Sequence, residues 1–183
     1  MALSGFKYTI SWTTDFDRVD KRKDPKLDAF TVARFTTGKN LMADVKSGDG
    51  LYRFQTDSID IQIKMDNKKS WVFKDAESDS LLKHEQLHYN ISALAGRDLE
   101  RGLKKLSAAS AKDLYDQAKS LLSSLQTLVN QINVEYDDNK LSGSNHGNDT
   151  GNQTKWEMHI NKLMNDPNGE LKGINAATTT ATP

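Results

Sequence analysis

The sequence predicts an α+β fold: a small, mostly antiparallel sheet from the first half of the chain, packed against a long two-helix hairpin, plus a short C-terminal helix. Two periodicities carry this. As far as about residue 73, apolar and polar residues alternate as in half-buried strands; from about Ser80 the apolar residues recur at steps of three and four, as on one helix face. At 183 residues the chain can bury one real core but is short for two linked domains. Residues 1–170 are therefore expected to form a single domain and residues 171–183 a flexible tail, small and polar from Ala176.

Phe6, Tyr8, Ile10 and Trp12 alternate with Lys7, Thr9 and Ser11, which predicts a first strand. A second apolar segment surrounds Phe30 to Phe35. A third runs from Tyr52 and Phe54 to Ile59, Ile61, Ile63 and Met65, and its phase switch near Asp57 and Ser58 predicts a bulge or turn. Ser70 to Phe73 can add a short strand, while Lys21 to Lys26 and Ser47 to Gly50 read as loops.

The first long helix places His84, His88, Ile91, Ala95, Leu99, Gly102 and Leu106 on one stripe, so both histidines face inward. A turn near Ser107 to Ser110 follows, with Ser110 and Asp113 resembling a capping box. Leu114, Ala118, Leu121, Leu125, Leu128 and Ile132 mark the second helix, expected to end near Val134. Asn139 to Asn152 has loop composition, and a last helix carrying Trp156, Ile160 and Leu163 stops before Pro167.

Composition removes several function classes. Lys plus Arg and Asp plus Glu number 25 each, so no net field draws the chain to nucleic acid. No stretch reaches transmembrane length, and the N-terminal residues lack the apolar core of a signal peptide. There is no cysteine, which leaves His, Asp and Glu as the strong metal ligands.

Against that background His84-Glu85-Gln86-Leu87-His88 is an HExxH motif on a helix. Imidazoles at i and i+4 project side by side toward one metal ion, and the intervening glutamate is placed to take a proton from a metal-activated water. One Zn2+ per chain is expected, with Glu85 as general base and acid. A catalytic zinc needs a third protein ligand. Asp98 and Glu100 lie too far along the same helix, whereas the end of the return helix comes back level with the histidines. His146, Asp137 and Glu135 are the candidates, in that order; Asp137 can instead orient a ligand imidazole. Tyr136 is a candidate oxyanion donor, or an ordinary packed tyrosine. His159 reads as a packing or surface residue.

The run Asn67-Lys68-Lys69-Ser70-Trp71-Val72, the segment Leu82 to Ile91, and then Ala95, Arg97 and Leu99 resemble a bacterial family, domain of unknown function 922. Tyr136-Asp137, His146-Gly147, Gln153 and Trp156 fall on its downstream signature, and Ile10-Ser11-Trp12 with Asp15-Phe16 look like its opening. The spacer between Asp137 and His146 is longer than the signature's, with Ser144 in a threonine position and Thr150 in a glutamine position. The resemblance implies a zincin-like metallopeptidase domain, a secreted or extracytoplasmic setting, and His146 as third ligand.

The sequence thus leads to a zinc-dependent peptidase acting on a peptide or protein substrate, with His84, His88 and His146 as ligands and Glu85 and Tyr136 as candidate catalytic groups. An exposed edge strand could hold the substrate by strand addition. The alternative is a noncatalytic zinc-binding module that recognises a peptide or cell-envelope partner.

Overall fold

The computed structural model describes residues 9–45, 48–139 and 142–174. Phe6 to Tyr8 of the expected first strand lie outside them, and the remainder is no strand. Trp12–Asp15 forms one helical turn, α1, capped by Ser11, whose Oγ accepts from the Thr13 N–H, while Asp15 Oδ2 accepts the Ser11 N–H at 2.9 Å. These local acceptors satisfy backbone groups that a neighbouring strand would otherwise pair. The alternation of Ile10 and Trp12 reports their burial correctly, and Trp12 packs edge-on against Phe16.

Seven short strands follow: β1 (Asp17–Val19), β2 (Ala29–Phe30), β3 (Ala33–Thr37), β4 (Ala43–Val45), β5 (Tyr52–Phe54), β6 (Ile61–Met65) and β7 (Trp71–Phe73). The expected single sheet is divided in three among the described residues: β1-β7-β2, β3-β6 and β4-β5. All pairings are antiparallel except β1 with β7. The division has a local cause in the phase switch between Phe54 and Ile61. There Thr56–Ser58 forms a 3-10 turn, and Ser58 Oγ donates to the Gln55 carbonyl at 2.7 Å and accepts the Met42 N–H at 3.0 Å, so the chain turns between β5 and β6.

Two helices of 27 residues dominate the second half: α2 (Asp79–Lys105), capped by Ser78, and α3 (Ala111–Asp137), capped by Ser110. They pack on each other, and α2 also covers β3 and β6. Gly96 permits that approach, because a Cβ there would stand 2.4 Å from Ile63 Cδ1. The second helix runs past Val134 to Asp137. The last helix, α4 (Thr150–Asn165), starts at an Asp149 cap and lies against α2.

The domain boundary expected at residue 170 is corrected by packing. Arg97 donates to the carbonyls of Leu163 at 2.6 Å and Met164 at 2.9 Å, and Arg101 to those of Pro167 at 2.6 Å and Gly169 at 2.9 Å. Asp98 Oδ2 accepts the Leu171 N–H at 2.8 Å. Leu171 and Ile174 are completely buried in the one apolar core that extends from Ile10 to Ile174, so residues 171–174 are no tail. The rest of the expected tail, 175–183, lies outside the described residues. Among the described residues no helix is long and apolar enough to cross a membrane.

Leu171→Ala is expected to lower the unfolding free energy by about 2–4 kcal/mol in urea denaturation, as for a buried leucine. A loss within about 0.5 kcal/mol, typical of surface positions, would return the segment to a tail.

Candidate metal centre

His84 and His88 lie one turn apart on the buried face of α2, with Glu85 buried beside them. Their Nε2 atoms are 3.2 Å apart, and each is 3.1 Å from Asp137 Oδ1 on the last turn of α3. Two neutral imidazoles cannot rest with their lone pairs turned on each other at this distance; a proton or a cation must lie between them. Donors bound at 2.0–2.1 Å around a tetrahedral ion stand about 3.3 Å apart, so the triangle of His84, His88 and Asp137 has the edges one ion requires. Asp137 Oδ1 is buried without a conventional hydrogen-bond partner despite three imidazole contacts, with His84, His88 and His146, as suits an atom facing a shared cation.

His146 Nδ1 is 3.5 Å from Asp137 Oδ1, and His84, Asp137 and His146 have donor atoms all within 4.8 Å of one another. These three could hold a metal ion. His146 is therefore beside the triangle rather than in its tightest part. Glu135, the remaining candidate ligand, is exposed and outside the group. His159 bonds to the Gly173 carbonyl at 3.0 Å, a packing role.

The chain builds this arrangement from three sources. Helical spacing on α2 pairs the imidazoles, the extra turn of α3 delivers Asp137, and the loop before α4 delivers His146. That loop is tightly wound: Asn145, His146 and Gly147 have φ of 50°, 51° and 81°. Gly147 is required twice over, since a Cβ there would strain the left-handed backbone and stand 3.2 Å from His84 Cβ.

Behind the imidazoles lies a polar layer that the sequence reading did not assign. His88 Nδ1 faces Asn133 Oδ1 at 3.0 Å, and His84 Nδ1 faces Gln153 Oε1 at 3.2 Å and Ser144 Oγ at 3.4 Å. The Tyr136 hydroxyl donates to Gln153 Oε1 at 2.6 Å, and the ring stacks on His84 with centroids 4.6 Å apart. Tyr136 is fully buried, stands behind the His84 imidazole and is not among the residues that line the cleft. Gln153 had a weak sequence signal, its place in the downstream signature; Asn133 had none beyond its position on the inner face of α3.

Charge follows geometry. Burial opposes a charged His88, but the Asp137 carboxylate outweighs it, helped by Glu85 and Asn133, and raises the imidazolium from 6.5 to about 9. Burial likewise opposes a charged Asp137, and His88 and His84 overcome it, holding the carboxyl well below the usual range. These are two views of one coupling. The Tyr136 hydroxyl is pushed upward, chiefly by burial, and stays a neutral donor.

The group opens into a cleft of about 580 Å³. One wall is the segment from Ala29 to Arg34, the floor is α2 with His84, Glu85, His88 and Ser92, and the other wall is α3 from Gln126 to Asp137.

Because the folded His88 value lies above the ordinary one, its contact with Asp137 stabilises the metal-free protein fully below pH 6.5 and is lost as pH rises through about 9. Chelator-treated protein should therefore show a falling thermal midpoint across that window, and His88→Gln a smaller fall. A midpoint that rises there would contradict the coupling.

The profile of the family described as Bacterial protein of unknown function (DUF922) matches residues 60–147, from the start of β6 through Gly147, and so includes His84, Glu85, His88, Asp137 and His146. No curated protein and no solved structure matches the chain. By that match, the segment that supplies the donor cluster is similar to the bacterial family of unknown function DUF922.

Proposed function

We propose that this protein is a zinc-dependent peptidase, with one zinc ion held by His84, His88 and Asp137 and with His146 as a further donor. Glu85 carries the reading. It is a carboxylate only 3% exposed, with an Oε2 that has no hydrogen-bond partner, in the same cleft as three converging donors. Such a group is costly to bury unless a cation or a transferable proton is close by.

A nitrogen and oxygen donor set with tetrahedral edges and no sulfur suits zinc. When bound, zinc supplies Lewis acidity, acidifying a water molecule and polarising a peptide carbonyl. Glu85 accepts the proton of the attacking water and delivers it to the departing amine. His84 and His88 turn Nε2 to the ion with Nδ1 held from behind. The wall from Ala29 to Arg34 suits the substrate: among the described residues β2 is at the edge of its sheet, β3 pairs only with β6, and Thr31 Oγ1 is buried without a partner. An extended peptide can add to such an edge.

A noncatalytic zinc-binding module using the same cleft is the second reading. It is favoured by the count of donors, since His84, His88, Asp137 and His146 together make the four of a closed structural site. Glu85 weighs for the first reading, because a closed site has no use for a neighbouring base.

Glu85→Gln is expected to reduce peptide hydrolysis by about 100-fold or more while tag-free protein keeps close to one zinc per chain by elemental analysis. Unchanged turnover removes the peptidase reading, and no stoichiometric zinc in the parent protein removes both. Among ligand variants, Asp137→Ala should weaken zinc binding more than His146→Ala in a chelator competition, following the tighter contacts of Asp137. The opposite order would make His146 the third ligand.

A further inference from the structure

Resting on the metal-site reading, we propose that Gln153 is a positioning residue: its side-chain oxygen holds His84 with the proton on Nδ1 and the lone pair of Nε2 turned to the metal, and Tyr136 locks the amide in the orientation this requires. The direction of every bond follows from where the hydrogens must go. The Ser144 hydroxyl donates to the Tyr136 carbonyl at 2.8 Å, so Ser144 Oγ has only lone pairs for His84. The Tyr136 hydroxyl gives its hydrogen to Gln153 Oε1 at 2.6 Å. Both oxygens facing His84 Nδ1 are therefore acceptors, and Nδ1 must be the donor. With its proton committed at the back of the ring, a neutral His84 offers Nε2 to the donor triangle.

The amide could in principle present its other end. Gln153 Nε2 in that place would donate to Nδ1, move the ring proton to Nε2 and block the metal face. Tyr136 opposes the flip, since its 2.6 Å bond to the oxygen would be exchanged for the longer 3.3 Å alternative to the His84 carbonyl. Gln153 is also only 7% exposed, and its Nε2 has no partner among the described residues. An apolar side chain of the same length would leave no such unsatisfied group, so the amide is favoured here only for what its oxygen does. Its place on α4, near Trp156 and against Tyr136, ties the backing of a ligand on α2 to an element that supplies no ligand.

The effect is read with zinc alone, by competition against a chromophoric chelator at one fixed pH, with thermal midpoints measured in parallel. Gln153→Met keeps the length and removes the acceptor, and should weaken zinc binding by about 10- to 100-fold, the range for lost outer-shell partners of metal-binding histidines. Gln153→Glu restores two acceptors and should return affinity to within a few-fold of the parent even if its midpoint is lower. A purely packing role predicts the reverse, with the methionine variant harmless to zinc and the buried carboxylate harmful. In the zinc-loaded parent, nitrogen NMR should find the His84 proton on Nδ1 and slow to exchange, a measurement that needs no variant. If the parent binds zinc and Gln153→Met binds it equally well, or if Nδ1 is found unprotonated, the assignment to Gln153 is overturned while the metal centre stands. If the parent binds no zinc, the metal centre and the inference fall together.

Discussion

The arrangement of this protein depends on one close approach, that of His84 Nε2, His88 Nε2 and Asp137 Oδ1, all within 3.2 Å of each other. With both imidazole protons on Nδ1 the two Nε2 lone pairs repel each other, and a shared proton or cation makes all three edges favourable. A proton on His88 can satisfy the requirement in the metal-free chain, in the direction that the Asp137 carboxylate pushes that imidazole against the cost of burial. A metal ion held by the same residues would satisfy it for three donors at once, where a proton serves two. Glu85 sharpens the demand by adding a second buried carboxylate to the same neighbourhood.

That approach needs α2 and α3 to meet at one particular end, and much of the fold serves this. Gly96 lets α2 settle onto β6, which fixes the height of the imidazoles above the strands. Next along α2, Arg97 grips the Leu163 carbonyl at the end of α4, Arg101 grips the Gly169 carbonyl beyond it, and Asp98 takes the Leu171 N–H. The chain segment after α4 is thus held by α2, and α4 in turn holds Gln153 against His84. The support is circular: the helix that carries His84 anchors the element that packs Gln153 against it. A disturbance at Arg97 would reach the metal centre through α4 without touching any donor.

How much of this was legible in the sequence depends on the range of the interactions involved. The long helices, their caps at Ser110 and the inward face of His84 and His88 were legible because period and capping are local. The breakdown of the sheet was not, since two to five residues of alternation fix burial but leave strand partners open; Ile10 and Trp12 alternate correctly and still belong to no strand. The end of α3 was misjudged because the leucine stripe stops at Ile132, while the last turn is held by Tyr136 packing between His84 and Trp156. Leu171 and Ile174 look like residues of a polar terminus until Asp98 and Arg101 supply bonding partners from about seventy positions away. At the site, His84, Glu85 and His88 follow from helical spacing, while the closeness of Asp137 to both imidazoles depends on where a second helix ends, and spacing could only rank it behind His146.

The ranking of the two remaining donors bears directly on chemistry. Asp137 belongs to a helix whose last turn is packed through Tyr136, so its position is fixed by the same contacts that fix the core. His146 belongs to a loop with consecutive left-handed residues and its side chain is 45% exposed, although bonds from Ser144 and Asn145 to the end of α3 and from Trp156 to Ser142 hold the loop's backbone. A donor held by the core stays through a reaction cycle, whereas one held by an exposed loop can give way to water or substrate at small cost. On the proposed reading this asymmetry lets a four-donor neighbourhood behave as a three-ligand site: the helices keep the ion, and the loop decides whether the cleft can reach it. It also gives Glu85 a use, since a base beside a permanently closed site would be a buried carboxylate with neither partner nor task.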